Sequence, residues 1–438
     1  MSTDVQQFTG LLVEPLAPAQ SGDWPLWRKK LWIVLACGAF LMYGCALPTV
    51  FMMAGRNLSD FYQEWTSALN VFNGQPVYRP LADHLGMRFK DNDELLIKYN
   101  AHPPTSVLLA LPFGLLSYET ACLVWNLLSI GCLIASGWLV FKTLGLKFHA
   151  WCILPVATLL MGNPLLQHLA QGQLTLLLLI LITGSWLADR RDRPILAGFL
   201  LGLAAVIKIF PAFLFVVFLV QRNWRALASG ALTVLYVTLM TIWLLGPDTY
   251  YDYVNVVMPE VFHFQGARRN ASFVGMWSRM FNGRPETIMI FYSPWVAKLG
   301  TWLCDAAVVG AIMFFGDNCR SRPQRDLLWG MALAGMLLVS PITWDHYFLA
   351  LLLPVTLLWN NMPQSRACRW VFGISLAALW MNSIVPWLVL MGPNPNEAYT
   401  TPLETLAFYG WHCYALVALL VLCIITSRKI GPRLPAAA

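Results

Sequence analysis

The chain is 438 residues long, 58% hydrophobic and only 12% charged, with a mean hydropathy of +0.59. A soluble domain carries roughly 25% charged residues, so a soluble globular protein is excluded and a polytopic membrane protein is expected. The net charge of +7 then bears on which loops face the cytoplasm, and no nucleic-acid partner is expected.

Residues 1–30 read as a polar cytoplasmic tail, closed by Arg28, Lys29 and Lys30, which mark that side as inside. An apolar run at 31–54 follows, long enough to cross a bilayer, which takes about 20 residues. The outer loop at 55–104 opens with RNLSDFYQEWTSALNVFNGQPVY. DFYQEWTSAL reads as a helix with Ser59 or Asp60 as its N-cap. Glu64, four residues on, shares a face with Asp60, so the pair is either an acid/base couple or a solvated edge. Tyr62 and its aromatic neighbours offer stacking surface for a sugar ring, although aromatics also belong to any membrane interface. Asp91-Asn92-Asp93 matches the D-x-D that holds a metal under a nucleotide-sugar diphosphate. Nucleotide sugars are cytosolic and this loop is expected outside, so no metal and no other cofactor is expected.

The run at 105–116 is too short to span and reads as a re-entrant or interfacial helix. Spans are expected near 120–141, 149–162, 172–188, 195–207, 209–220 and 226–246. The tip MGNPLLQHLAQGQ (161–173) places Gln171 and Gln173 at a span start, either as helix caps or as hydrogen-bonding groups for sugar or phosphate. Lys208 lies between two short apolar runs, where a charge is costly unless it snorkels to the interface or faces water or an anion.

The outer segment 247–293 carries Arg268, Arg269, Arg279 and Arg284 against the positive-inside pattern. Outer-leaflet lipid phosphate or an anionic substrate is their natural partner, and on charge alone Arg279 is the first choice for a substrate phosphate. Spans near 294–316, 327–341, 346–360, 369–391 and 403–426 bring the total to twelve, with a cytoplasmic tail at 427–438. That count puts Lys142/Lys147, Arg190/Arg191/Arg193, Arg222/Arg225, Arg320/Arg322/Arg325, Arg366/Arg369 and Arg428/Lys429/Arg433 inside. Several spans are only 12–16 residues long, which suits helices lining an aqueous cavity that opens outward. Between two of them, SPITWDHY places Asp345 and His346 at the outer boundary, where ionisable groups are functional candidates. The ten cysteines form no C-x-x-C pair and read as small buried hydrophobes.

G-x-G-x-x-G, P-loop, H-E-x-x-H and G-x-S-x-G motifs are absent. A carboxylate, a histidine, a lysine and amides above short helices suit an enzyme acting on a lipid phosphate with a polar head. A transporter or flippase is the rival reading, but the long loop at 55–104 has no counterpart in the second half of the chain. A membrane scaffold would leave these residues without a purpose.

The acid after the first span with NGQPVY, then HPPTSVLLALPFGLL, QGQLTLLLLILI and RDRPILAGFLLGLAAVIKIFPAFLFVVFLVQRNWRAL, and finally SPITWDHYFLALLLPV, occur in order. Together they resemble glycosyltransferase family 87, which is similar to the polyprenol-phosphate-mannose-dependent mannosyltransferases. The resemblance implies an all-α GT-C bundle with an outward-facing cavity, a polyprenyl-phosphate sugar donor and a lipid or glycan acceptor. It implies that Asp60 is the general base of a single inverting displacement, that His346 lies at the donor phosphate or beside the base, and that Lys208 points toward the phosphate. Gln171 and Gln173 would line the site. The family's Y-x-P-P element stands here as Tyr99-Asn100-Ala101-His102-Pro103-Pro104, with His102 where an aromatic is expected. On loop placement alone, Glu64 or Asp83 could be the base instead. Transfer is expected to be metal-independent, and the sugar is left open between mannose, another hexose and a pentose.

Overall fold

In hydrocarbon no water can satisfy a backbone N–H or C=O, so apolar runs must close their hydrogen bonds within themselves. The computed structural model describes residues 25–53, 55, 59–85, 98–146, 153–283, 289–363, 365–382, 406 and 410–430, and among them every regular element is a helix. Four helices are long and apolar enough to cross a membrane: Tyr118–Thr143, Trp224–Leu245, Pro294–Gly316 and Trp411–Lys429. Two bent pairs are further candidates. Leu26–Tyr43 and Ala46–Met52 meet at 42°, and Asn163–Gln171 and Thr175–Arg190 meet at 116°.

The described residues therefore hold four to six candidate spans where hydropathy and charge predict twelve. The remaining apolar runs fold as shorter pieces. Pro194–Ile207 is followed by the 3-10 turn Phe210–Leu214 and the helix Phe215–Val220, and the 346–360 run begins as a 3-10 turn over Asp345–Leu351. The end of the 369–391 run, the start of the 403–426 run, Asp91–Asp93 and Arg284 lie outside the described residues.

Helix starts follow local chemistry. Ser117 Oγ accepts from Thr120 N at 3.4 Å to open Tyr118–Thr143, and Ser321 with Gln324 forms a capping box before Arg322–Val339. Arg322–Val339 is buried on every side from Asp326 to Leu338, as suits a helix that is apolar all round. It forms the central pillar, packed against Trp411–Lys429 and Pro294–Gly316.

A reciprocal clasp ties this pillar to Thr175–Arg190. Trp186 Nε1 donates to Asp326 at 2.9 Å, and Trp329 Nε1 donates to Asp189 at 2.9 Å. Arg190 pairs with Asp326, and Gln221 Nε2 donates to Asp189 at 3.2 Å. Pro194–Ile207 then packs closely on Trp224–Leu245 because Gly198, Gly202 and Gly230 meet at the crossing. A Cβ on Gly202 would stand 2.8 Å from Gly230 O.

Candidate active site

Asp60 directly precedes the helix Phe61–Phe72, yet its side chain makes no cap hydrogen bond to that helix. The carboxylate turns instead to Gln173 Nε2, and accepts from Gln63 Nε2 at 3.4 Å. Gln173 reaches it through the bend after Asn163–Gln171. Gly172 there has φ +63° and approaches Phe61 so closely that a Cβ would stand 2.5 Å from the Phe61 Cβ. The turn is held from behind, as Gln173 N donates to His168 O at 3.0 Å and Trp125 Nε1 donates to Gln173 O at 3.3 Å.

Lys208 completes the chain of contacts. Pro194–Ile207 ends with Lys208 in extended backbone, φ −149° and ψ 133°, which breaks the helix and frees the side chain. Lys208 Nζ donates to Gln173 Oε1 at 3.2 Å and stands 4.5 Å from the Tyr347 ring centroid. The ammonium thus turns to an amide and an aromatic ring of the protein. Tyr347 stacks on Phe210 at 4.8 Å and meets His346 edge-on at 4.6 Å. Gln173 thus bridges a carboxylate and an ammonium, one amide end to each.

Burial raises the Asp60 carboxyl above the ordinary carboxylate range. The nearby His102 and Lys208 charges and the Gln173 hydrogen bond oppose that rise, and Glu64 adds to it.

Glu64 is buried and occupied. It accepts from Asn100 Nδ2 at 2.7 Å and from Ser106 Oγ at 3.5 Å, and it pairs with His102 Nδ1. Asp83 pairs with Arg79 at 3.0 Å on an exposed turn. Of the three carboxylates considered at the outset, only Asp60 both touches Gln173 and stays partly exposed.

Beside this centre a cavity of about 160 Å³ lies between Ala46–Met52 and Tyr118–Thr143, lined in part by Ser59, Phe61, Asn126 and Gly172. Among the described residues no three His, Cys, Asp or Glu side chains converge with metal-ligand spacing.

The model of glycosyltransferase family 87 matches residues 100–341, more than half of the chain. The chain belongs to glycosyltransferase family 87. It is a glycosyltransferase. The matched stretch contains His102, Gln171, Gln173, Lys208 and Arg279, while Asp60 precedes it and His346 follows it. Relatives extend the likeness over nearly the whole family 87 chain. One, from Mycobacterium tuberculosis, is a polyprenol-phosphate-mannose-dependent alpha-(1-2)-phosphatidylinositol mannoside mannosyltransferase, 24% identical over 93% of this chain and 94% of its own. Its namesake from Mycolicibacterium smegmatis is 23% identical over 82% of this chain and 81% of its own. A pentamannoside mannosyltransferase from Mycolicibacterium smegmatis is 26% identical over 66% of this chain and 67% of its own.

The other residues singled out in the sequence are held by contacts of their own. Arg279 is buried in Phe273–Phe281, and its Nη1 donates to Ala267 O at 2.8 Å and Asn270 O at 3.0 Å. Asn270 in turn holds the 340–347 turn, donating to Pro341 O at 2.9 Å and accepting from Thr343 N at 2.9 Å. Asp345 accepts from Asn163 Nδ2 at 2.9 Å and faces His412 Nδ1 at 3.8 Å. These contacts fix the turn that carries His346. Tyr62 packs edge-on against Tyr118 at 5.5 Å, and Gln171 closes its helix beside Gly172. Asn100, Asn163, His168 and Asn270 escaped the sequence reading, because a lone polar residue outside a motif carries no periodic signal.

Proposed function

We propose that this enzyme moves a sugar from a polyprenyl-phosphate donor to a hydroxyl of a lipid or glycan acceptor at the extracytoplasmic face. Asp60 is the general base of a single inverting displacement. The observation that carries this reading is a carboxylate that caps no helix and is joined through Gln173 to Lys208.

Asp60 takes the proton of the acceptor hydroxyl, whose oxygen attacks the anomeric carbon while the bond from that carbon to the phosphate oxygen breaks. A carboxyl raised toward the working pH is the better base. Lys208 and His346 meet the negative charge that develops on the phosphate, and Arg279 adds positive charge behind the turn. Gln171, Gln173, Tyr62 and His102 border the donor and acceptor, with Glu64 setting His102 and Asp345 setting the His346 turn. The site opens into an outward cavity of a twelve-span GT-C bundle in a bacterial inner membrane, with residues 1–30 and 427–438 cytoplasmic. The relatives' names make mannose the first donor to test, with other hexoses and pentoses as further arms.

The deciding experiment incubates purified protein in nanodiscs with a panel of polyprenyl-phosphate sugars and follows transfer by mass spectrometry. Wild type is expected to use one donor, and Asp60→Asn to lose about 10³-fold or more in kcat while staying folded, as for loss of an essential proton acceptor. Full activity in Asp60→Asn would remove Asp60 as the base.

A further inference from the structure

Two histidines of the centre hold open nitrogens. His168 is 0% exposed, and neither of its ring nitrogens has a hydrogen-bond partner. His346 Nε2 is likewise buried without a partner. Of the other described core histidines, His102 Nδ1 lies against the Glu64 carboxylate and His412 Nε2 contacts Met381 O at 3.2 Å. A neutral imidazole carries one N–H donor and one acceptor nitrogen, and buried polar groups are as a rule bonded.

Packing alone does not call for a histidine at this position. Leu165 and Leu169 on the same helix join Leu349 in one apolar cluster, and an apolar side chain would extend it. What distinguishes the position is its company. Gln173 N donates to His168 O at 3.0 Å, and Gln173 Oε1 accepts from Lys208 Nζ at 3.2 Å. The Tyr347 ring stands 4.5 Å from Lys208 Nζ and 4.6 Å from the His346 ring, where the helix Asn163–Gln171 packs on the Asp345–Leu351 turn.

We infer that His168 is a phosphate-contact residue, forming with His346 and Lys208 a three-point seat for the phosphate of the lipid-linked donor, an inference that rests on the donor reading above. The donor phosphodiester carries one negative charge. When the sugar leaves, the former bridging oxygen keeps the electron pair, and the acceptor's proton resides on Asp60. The product is a monoester with three terminal oxygens and a further negative charge. A seat of two imidazole N–H groups and an ammonium fits that product, and the transition state leading to it, better than it fits the diester.

The test compares wild type, His168→Leu and His168→Gln in nanodiscs, titrated with a short-chain polyprenyl monophosphate by calorimetry and assayed for transfer. His168→Leu is expected to keep or raise the unfolding temperature, because it removes two unsatisfied polar atoms. It is expected to bind the monophosphate about tenfold more weakly and to lose about 10²-fold in kcat with little change in KM. His168→Gln, which keeps an N–H donor, is expected to recover part of both losses. A His168→Leu enzyme with wild-type monophosphate affinity and kcat overturns the inference and leaves a core histidine. Wild type that binds no polyprenyl monophosphate removes the donor reading and the inference together. Should His168→Leu not fold, His168→Phe carries the same outcomes.

Discussion

Asp60 illustrates how much one side-chain direction decides. An aspartate before a helix is a common N-cap, but here the carboxylate leaves the helix uncapped and binds Gln173. Burial raises its proton affinity, and Lys208 and His102 hold that rise in check. As the proposed base, Asp60 must be deprotonated to act, so kcat/KM is expected to fall as pH drops through its pKa. The acid limb of the pH–rate profile is therefore expected above the ordinary carboxylate range, near 3.9 in model peptides. Removing the positive charge with Lys208→Met takes away a lowering influence, so the limb is expected to move to still higher pH. An unchanged limb in Lys208→Met would separate the lysine from the base.

Among the elements, the bend at 171–173 brings the centre together. Gly172 combines a left-handed φ with a contact that leaves no room for a Cβ against Phe61. Gly74 has the same φ of +63°, and nothing lies within 4 Å of its Cβ position. Gly172→Ala is expected to cost ~2 kcal/mol or more, since steric overlap adds to backbone strain, whereas Gly74→Ala costs ~1 kcal/mol of strain alone. Thermal unfolding measures the stability difference. Turnover adds a second test: Gly172→Ala shifts Gln173 away from Asp60 and should lower kcat, while Gly74→Ala should leave it near wild type.

Across the whole molecule, the clasp and the centre occupy opposite ends of one helix. Thr175–Arg190 has 16 residues, a rise of about 24 Å, with Gln173 before its start and Arg190 at its end. The clasp ties the bundle together at a distance from the proposed site. Asp326→Ala leaves the buried Arg190 charge without its carboxylate and Trp186 without an acceptor. A loss of ~3–5 kcal/mol is expected, read as a lower unfolding temperature in detergent. The molecules that remain folded should transfer sugar at the wild-type rate. A selective fall in kcat without loss of stability would place the clasp in the mechanism.

Several features were legible from the residues alone. Low charge and long apolar runs dictate helices in a membrane, because hydrocarbon offers the backbone no other partner. The ordered motifs from SDFYQEW to SPITWDHY carry the family, and the resemblance proposes Asp60, Gln173, Lys208 and His346 as its site. Tertiary structure decided which polar groups meet. Gln173 and Asp60 are 113 residues apart and Asn163 and Asp345 are 182 apart, separations over which local pattern holds no information. Only packing shows Arg279 bonded to backbone carbonyls, Glu64 enclosed by Asn100 and His102, and His168 buried with no partner for its ring nitrogens. Hydrophobic burial selects helices wherever apolar residues recur, whereas a hydrogen bond needs two particular groups within about 3 Å. That proximity belongs to the folded chain.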